Sequence, residues 1–380
     1  MNCPYAYQTE LHIDEVIKSV NLCYSNEDLE IKKILVNLLR NESVLSEGKI
    51  NNLISLKLII RYFFKIVINK LFLIFNRKIS AKTLIRSWVE DCLELYKEEM
   101  NINKEVVFLV YPFSINIKRQ FNFIRMLKFN NYKYDFIGVN YSWIDYFSWI
   151  IKRDNIYLAI LEKNAYLRHA KFLYNNYKFK ELFTTDEFEN SSFILHDYLR
   201  NRKIYTVNKA HGISKYCPYV SYDLFYVFNE AQKTFYYKFN KNIKYNIFNK
   251  NSKKKLYKVE KIVFVSQLSN NHASEFIKSE EEQILNELKK LNKTVYIKIH
   301  PNSKIKENEN GEFIYFKNNI NYLNEAIILT LYSTTYYTLS EYGYCYLVET
   351  RYNKPQILFG KNASIIRIEE LLEFLKKHVY

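Results

Sequence analysis

VYIKIHP, residues Val295 to Pro301, and IILTLYSTT, residues Ile327 to Thr335, are the stretches on which the reading of this chain turns. Each is a strand-length run of β-branched and aromatic residues that stops abruptly in polar side chains. In an α/β domain, ligands bind outside the carboxyl ends of the parallel strands, so polar groups at two such ends face one crevice. His300 stands before Pro301, which fixes the turn, and can donate to a phosphate oxygen as charge develops on a leaving group. Ser333, Thr334 and Thr335 place three hydroxyls where a helix cap needs one, at a helix start whose unpaired amides attract anions. Together they have the layout of a nucleotide site.

Outward from these two stretches the pattern alternates. Strands are expected at Lys261–Gln267, Thr294–Ile299, Phe313–Phe316 and Ala326–Leu331, with helices at Glu280–Leu291, Thr335–Tyr342 and Ile368–His378. An earlier set runs strand Glu105–Pro112, helix Ile117–Phe129, strand Tyr134–Val139, strand Phe179–Thr185, helix Phe188–Asn201 and strand Lys203–Ala210. Such alternation implies parallel βαβ units. Between the two sets, Tyr237 to Lys258 is dense in Lys and Asn, centres on Lys253, Lys254 and Lys255, and reads as a linker. The expected fold class is therefore α/β, with two Rossmann-like domains, residues 101–252 and 253–380, facing a cleft. Asp186-Glu187 and His211-Gly212 fall just past strand ends of the first domain, on one edge of its sheet.

Residues 1–100 form the remaining region, expected to be a helical N-terminal extension, with Ile31, Ile34, Leu35, Leu38 and Leu39 at helical spacing. Within it, residues 53–75 are apolar except for Lys57, Arg61, Lys65, Lys70 and a few small polar residues. A spanning helix would bury those charges at about 2.5–3.5 kcal/mol each near the bilayer centre, which argues against insertion. Two readings stay open: a helix lying in a membrane interface, or a core helix whose basic stripe faces water.

Composition sets the outer limits. The 380 residues suffice for two domains, and a hydrophobic content of 48% excludes wholesale disorder. Five cysteines without CxxC spacing argue against a disulfide framework or a zinc site and for a reducing compartment. Glu10, Asp14 and Glu15 interrupt the place where a signal peptide would need its apolar core, so a cytoplasmic location is expected. A formal charge of +16 suits a polyanionic neighbour: nucleic acid, an anionic membrane face or an acidic substrate. No nucleic-acid-binding motif is visible.

A strand ending in His-Pro, followed about thirty residues later by a strand ending in Ser/Thr pairs, resembles the paired motifs of bacterial sialyltransferases and polysialyltransferases. It is also similar, more weakly, to those of the CDP-glycerol-dependent polyol phosphate transferases. FVSQLSN, Phe264 to Asn270, resembles the strand and Gln-containing loop that opens the donor domain in the sialyltransferase group. Asp186-Glu187 stands where that group carries an acidic pair, although Phe188 follows where Gly is usual. KAHGIS, Lys209 to Ser214, is similar to a His-Gly segment of the polyol group, whose acidic residue before its Ser-Ser is replaced here by Leu331 or Tyr332. The resemblance covers roughly residues 179 to 345 and implies a GT-B type fold, with the first domain on the acceptor side and the second binding the donor nucleotide.

What the resemblance implies chemically is an inverting transfer of a CMP-activated, sialic-acid-like sugar in surface polysaccharide or lipooligosaccharide synthesis. Asp186, Glu187 or His211 would deprotonate the acceptor hydroxyl. His300, Pro301 and the Ser333–Thr335 cluster, with Ser266 and Gln267, would hold the departing CMP. Glu341 and Glu349 are candidates for the ribose. No catalytic metal and no other cofactor are expected, because no DxD-type motif stands at a strand end and His300 with the helix end would replace the cation. The implied partners are a CMP-sugar donor, a glycan or lipid-linked glycan acceptor and an anionic membrane surface, not nucleic acid. A CDP-linked polyol phosphate transferase and a basic nucleic-acid-binding protein on a Rossmann scaffold are the alternatives.

Overall fold

The computed structural model describes residues 10–40, 54–87, 105–112, 117–210, 212–213, 217–247, 259–266, 275–299, 305–308, 311–317, 319–331, 335–351, 353–360 and 362–379. Three helices come first: α1 (Glu10–Cys23), α2 (Leu29–Leu39) and α3 (Leu56–Ile74). Asp28 and Ser55 start the second and third by accepting from the amides of Ile31 and Leu58, as short polar N-caps do. A sheet of seven parallel strands follows. Its members are β1 (Thr83–Ser87), β2 (Val106–Val110), β3 (Tyr134–Phe136), β4 (Glu181–Thr184), β5 (Tyr205–Lys209), β6 (Leu224–Val227) and β7 (Lys244–Ile247). Between them lie α4 (Ile117–Phe129), α5 (Trp143–Lys152), α6 (Asn155–Asn176), α7 (Ser192–Arg200) and α8 (Glu230–Phe239).

The strand order is β3-β2-β1-β4-β5-β6-β7, every pairing parallel. Because alternate side chains point to opposite faces, one face carries Leu84, Val107, Leu109 and Leu182, which pack under α2, α6 and α7. The other carries Ile85, Phe108, Val110, Phe183 and Val207 and is covered by Phe123 and Leu127 of α4. Burial on both faces is why β2, VVFLV, and β6, LFYV, read as nearly continuous apolar runs.

The second sheet has six strands: β8 (Ile262–Val265), β9 (Val295–Lys298), β10 (Phe313–Phe316), β11 (Ile327–Thr330), β12 (Tyr344–Glu349) and β13 (Ile365–Arg367). Their order is β10-β9-β8-β11-β12-β13, again all parallel. Helices α9 (Glu275–Lys289) and α12 (Ile368–His378) cover one face through Ile284, Leu288, Leu371 and Leu375. Short helices α10 (Thr335–Leu339) and α11 (Gln356–Phe359) lie on the other and meet α8 of the first domain. Asn229, the N-cap of α8, donates to the Tyr337 hydroxyl at 3.0 Å and to the Leu358 carbonyl at 2.9 Å, while Phe228 stacks on Tyr337.

The α/β class and the two Rossmann-like domains thus stand as the sequence implies, with three corrections. The first sheet begins at Thr83, inside the stretch assigned to the helical extension, and β1 is an interior strand between β2 and β4. Residues 244–247, assigned to the linker, form the edge strand β7, and residues 248–258 lie outside the described residues. The N-terminal helices are part of the first domain's core rather than an appendage: Ile31, Ile34 and Leu35 of α2 are buried with the sheet.

Helix α3 is likewise anchored. Tyr62, Ile66 and Asn69 face inward, and the Asn69 side chain accepts from the Val139 amide at 2.7 Å. A Cβ at the neighbouring Gly138 would collide with the Asn69 backbone carbonyl, so glycine is what lets the loop after β3 lie against the helix.

Candidate active site

Both sheets have the order 3-2-1-4-5-6 counted from their own first strand, with β7 added at the edge of the first. That order contains one reversal per sheet, between β1 and β4 in the first and between β8 and β11 in the second. A crevice opens outside the carboxyl ends of the strands at such a reversal, and ligands settle there. In the second sheet β9, β8 and β11 are adjacent, with Lys298 opposite Val265 and Val265 opposite Thr330. The segments that continue from these three strands hold His300 and Pro301, Ser266 and Gln267, and Ser333 to Thr335. His300, Pro301, Gln267, Ser333 and Thr334 themselves lie outside the described residues, as does His211 after β5.

The described residues around them are firmly fixed. Ser266 is buried and its hydroxyl donates to Glu281 of α9 at 2.7 Å. Asn353 donates to the Leu331 carbonyl at 2.9 Å and the Val348 carbonyl at 3.0 Å, which clamps the end of β11, two residues before Ser333, to the end of β12. Thr350 is hydrogen-bonded to Glu280, so two neighbouring glutamates of α9 tie down two strand ends. Thr335 opens α10 and is half-buried. That helix has only 5 residues, fewer than the Thr335–Tyr342 expected, so any phosphate binding here rests on hydroxyls and amides more than on a helix dipole. Glu349 is ion-paired with Lys354 at 2.6 Å, and Glu341 is exposed beyond α10.

At the reversal of the first sheet, Asp186 and Glu187 follow β4 beside β1, and both are fully buried. Arg86, on β1 and equally buried, is ion-paired with Asp186 and, at 2.7 Å, with Glu189. Tyr222 donates to Asp186 at 2.9 Å, the His196 ring nitrogen lies 3.0 Å from the same carboxylate, and Tyr166 donates to Glu189. The Arg86 guanidinium also lies over the Tyr111 ring, 4.7 Å from its centroid. Burial pushes the Asp186 carboxyl upward, but His196 and Arg86 outweigh it and hold the group below the usual carboxylate range. Glu189 goes the other way, raised by burial and by Asp186 against the pull of Arg86.

This geometry reorders the candidates for the base. A general base works best with a pKa near the operating pH and a lone pair aimed at the acceptor. Asp186 has neither in this arrangement, since both of its oxygens are engaged and it is held acidic. Its arrangement is that of a positioning residue that fixes the turn after β4. Glu187 accepts from Asn208 at 3.1 Å, and the same Asn208 side chain accepts from the Asp186 amide at 2.9 Å. One asparagine on β5 thereby sets the conformation of the acidic pair.

Sequence reasoning did not find Arg86, Asn208, Gln232 or Asn353. Gln232 of α8 donates to the Gly212 carbonyl at 2.8 Å and so holds the segment next to His211. From the other side, Asn37 donates to the Asn190 carbonyl at 2.8 Å and the Tyr219 carbonyl at 3.1 Å, and Arg40 reaches the Phe188 carbonyl at 3.4 Å. The N-terminal helices therefore brace the loop that follows the acidic pair.

No protein-family model matches the chain, and no curated protein sequence matches it. Among solved structures the chain is similar to the UDP-GlcNAc 2-epimerase of Methanocaldococcus jannaschii in complex with UDP-GlcNAc and UDP. The identity is 12% and the TM-score 0.41, over 78% of this chain and 92% of that one. It is similar as well to the glycotransferase of kitacinnamycin, at 10% identity and a TM-score of 0.44, over 79% of this chain and 89% of that one. Likeness at this level does not bear on activity.

Proposed function

We propose that the protein is a glycosyltransferase of surface-glycan synthesis that transfers a CMP-activated, sialic-acid-like sugar to a glycan or lipid-linked glycan, with inversion and without a metal. The observation that carries this reading is topological. The strands leading to Ser266, His300 and Ser333 are neighbours at the reversal of the second sheet, and the acidic pair stands at the reversal of the first. The nucleotide then belongs to the second domain and the acceptor to the first.

In this reading the hydroxyls of Ser333 and Thr334 hold the phosphate before and after transfer, and His300 donates to it as the bond to the sugar breaks. Glu187 or His211 takes the proton from the acceptor hydroxyl, and Asp186, locked to Arg86, keeps the turn in place. Incubation with CMP-sialic acid and a sialic-acid acceptor, followed by mass spectrometry, tests the assignment. A product heavier by the sugar with free CMP supports it; no transfer from CMP-sialic acid, but a phosphorus-containing product and free CMP when CDP-glycerol is the donor, would indicate a polyol phosphate transferase instead.

The base is assigned by two variants. Glu187→Gln and His211→Ala should both still bind donor, and whichever residue is the base should lose transfer by about 10²–10⁴-fold, with the acid-side fall in activity, which reports protonation of the base, lost in the same variant. If both variants turn over like wild type, the acceptor is activated elsewhere.

A further inference from the structure

The outward faces of α3 and α5 form one continuous apolar surface. On α3 the exposed side chains include Leu56, Ile60, Phe63, Phe64, Leu71 and Ile74, which recur at helical spacing as a single stripe. Helix α5 adds Ile144, Phe147 and Ile151, spaced three and four apart, of which Ile144 is 78% and Ile151 76% exposed. Phe63 bridges the two helices, its ring 5.5 Å from that of Trp143, which in turn stacks on Phe147 at 6.1 Å. The helices are clamped beneath this surface by the Tyr146 hydroxyl, which donates to the Ile59 carbonyl at 3.1 Å. A contiguous apolar patch of this kind on a folded protein marks an interaction surface rather than chance exposure.

The charges around it select the partner. The basic stripe expected along α3 divides in the structure. Lys65 turns inward to Glu162 at 3.0 Å and Lys70 to Asn140 at 3.0 Å, whereas Lys57 and Arg61 stay exposed beside the apolar stripe. Lys152 and Arg153 are exposed at the end of α5, and Arg77 and Lys78 just past α3. Helix α3 has no acidic residue, and the one on α5, Asp145, is ion-paired with Arg168 at 2.8 Å. A second copy of this chain would bring like charges together, which disfavours self-association through this face. An anionic lipid surface offers the opposite charge to the rim and an acyl boundary to the centre. No helix among the described residues is long and apolar enough to cross a membrane.

We infer that α3 and α5 together dock the protein on an anionic phospholipid surface, with Phe63, Phe64, Trp143, Phe147 and Ile151 entering the acyl boundary and Lys57, Arg61, Lys152 and Arg153 meeting the headgroups. This inference does not rest on the proposed transfer chemistry. Its test is co-sedimentation of the full chain with phosphatidylglycerol-containing vesicles and with phosphatidylcholine vesicles, without any assay of turnover. Wild type should partition to the anionic vesicles, less so as salt rises. The apolar variant Phe64→Glu/Ile144→Glu/Ile151→Glu and the charge variant Lys57→Glu/Arg61→Glu should each lose about tenfold or more of that binding. All five positions are exposed, so circular dichroism and the thermal midpoint should stay those of wild type. Equal binding to both vesicle types, no vesicle binding, or a wild-type dimer that the Phe64 variant converts to monomer would overturn the inference.

Discussion

Arg86→Met should destabilise the protein by about 3–5 kcal/mol, the usual cost of removing one partner from a buried ion pair. Arg86 is fully buried, and its guanidinium holds Asp186 and Glu189 together from the centre of the first sheet. Without it the two carboxylates face each other out of water, with His196, Tyr222 and Tyr166 as remaining partners. The loss should come chiefly from the stranded carboxylates rather than from the missing attraction. Arg86→Met combined with Asp186→Asn and Glu189→Gln should therefore recover much of it. Urea unfolding followed by circular dichroism measures both. A single variant within about 0.5 kcal/mol of wild type, the range of a neutral surface change, would mean the network does not carry the fold.

His300→Ala should leave the fold intact and lower turnover by about 10²–10³-fold, the loss typical of one hydrogen-bond donor to charge developing in a transition state, about 2.7–4 kcal/mol. Strand β9 is held between β8 and β10 by its own parallel pairings over Val295–Lys298, so the effect is expected to fall on chemistry. Donor KM should change little, because the bond to the phosphate strengthens as the leaving group departs. Release of CMP from the donor in the presence of acceptor is the measurement. Wild-type turnover in the variant would make His300 a structural residue.

The elements most legible in the sequence are those whose own residues satisfy them. Ile117–Phe129, Phe313–Phe316 and Ile368–His378 have the bounds expected of them, because a helix stripe or a short apolar run is a local signal. Strand β1 escaped because TLIRS is short and carries an arginine, and the partners that make that arginine tolerable lie about a hundred residues on, at Asp186 and Glu189. Strand β7 escaped for a different reason: as an edge strand reading KYNI it needs little apolar content, so it is indistinguishable from the Lys- and Asn-rich stretch around it. The candidate site shows the same division. His300 and Ser333 could be singled out because they follow apolar runs in the sequence, whereas Asn208, Gln232 and Asn353 act through contacts with segments that only the fold brings near. For Asp186 the sequence suggested a base, and its buried partners Arg86, His196 and Tyr222, which lie far from it along the chain or on another element, could not be read from the sequence.

The central claim is that the reversal of the second sheet is a CMP site, and the most direct test is the thermal midpoint of the full chain with CMP, CDP, UDP or GDP. A nucleotide at a hundred times its dissociation constant stabilises the folded state by about 2.7 kcal/mol. The account predicts stabilisation by the cytidine nucleotides above the others, and its loss in Ser333→Ala/Thr334→Val, a variant whose midpoint without nucleotide stays that of wild type. No response to any of the four, or a CMP response that survives in the double variant, would contradict it.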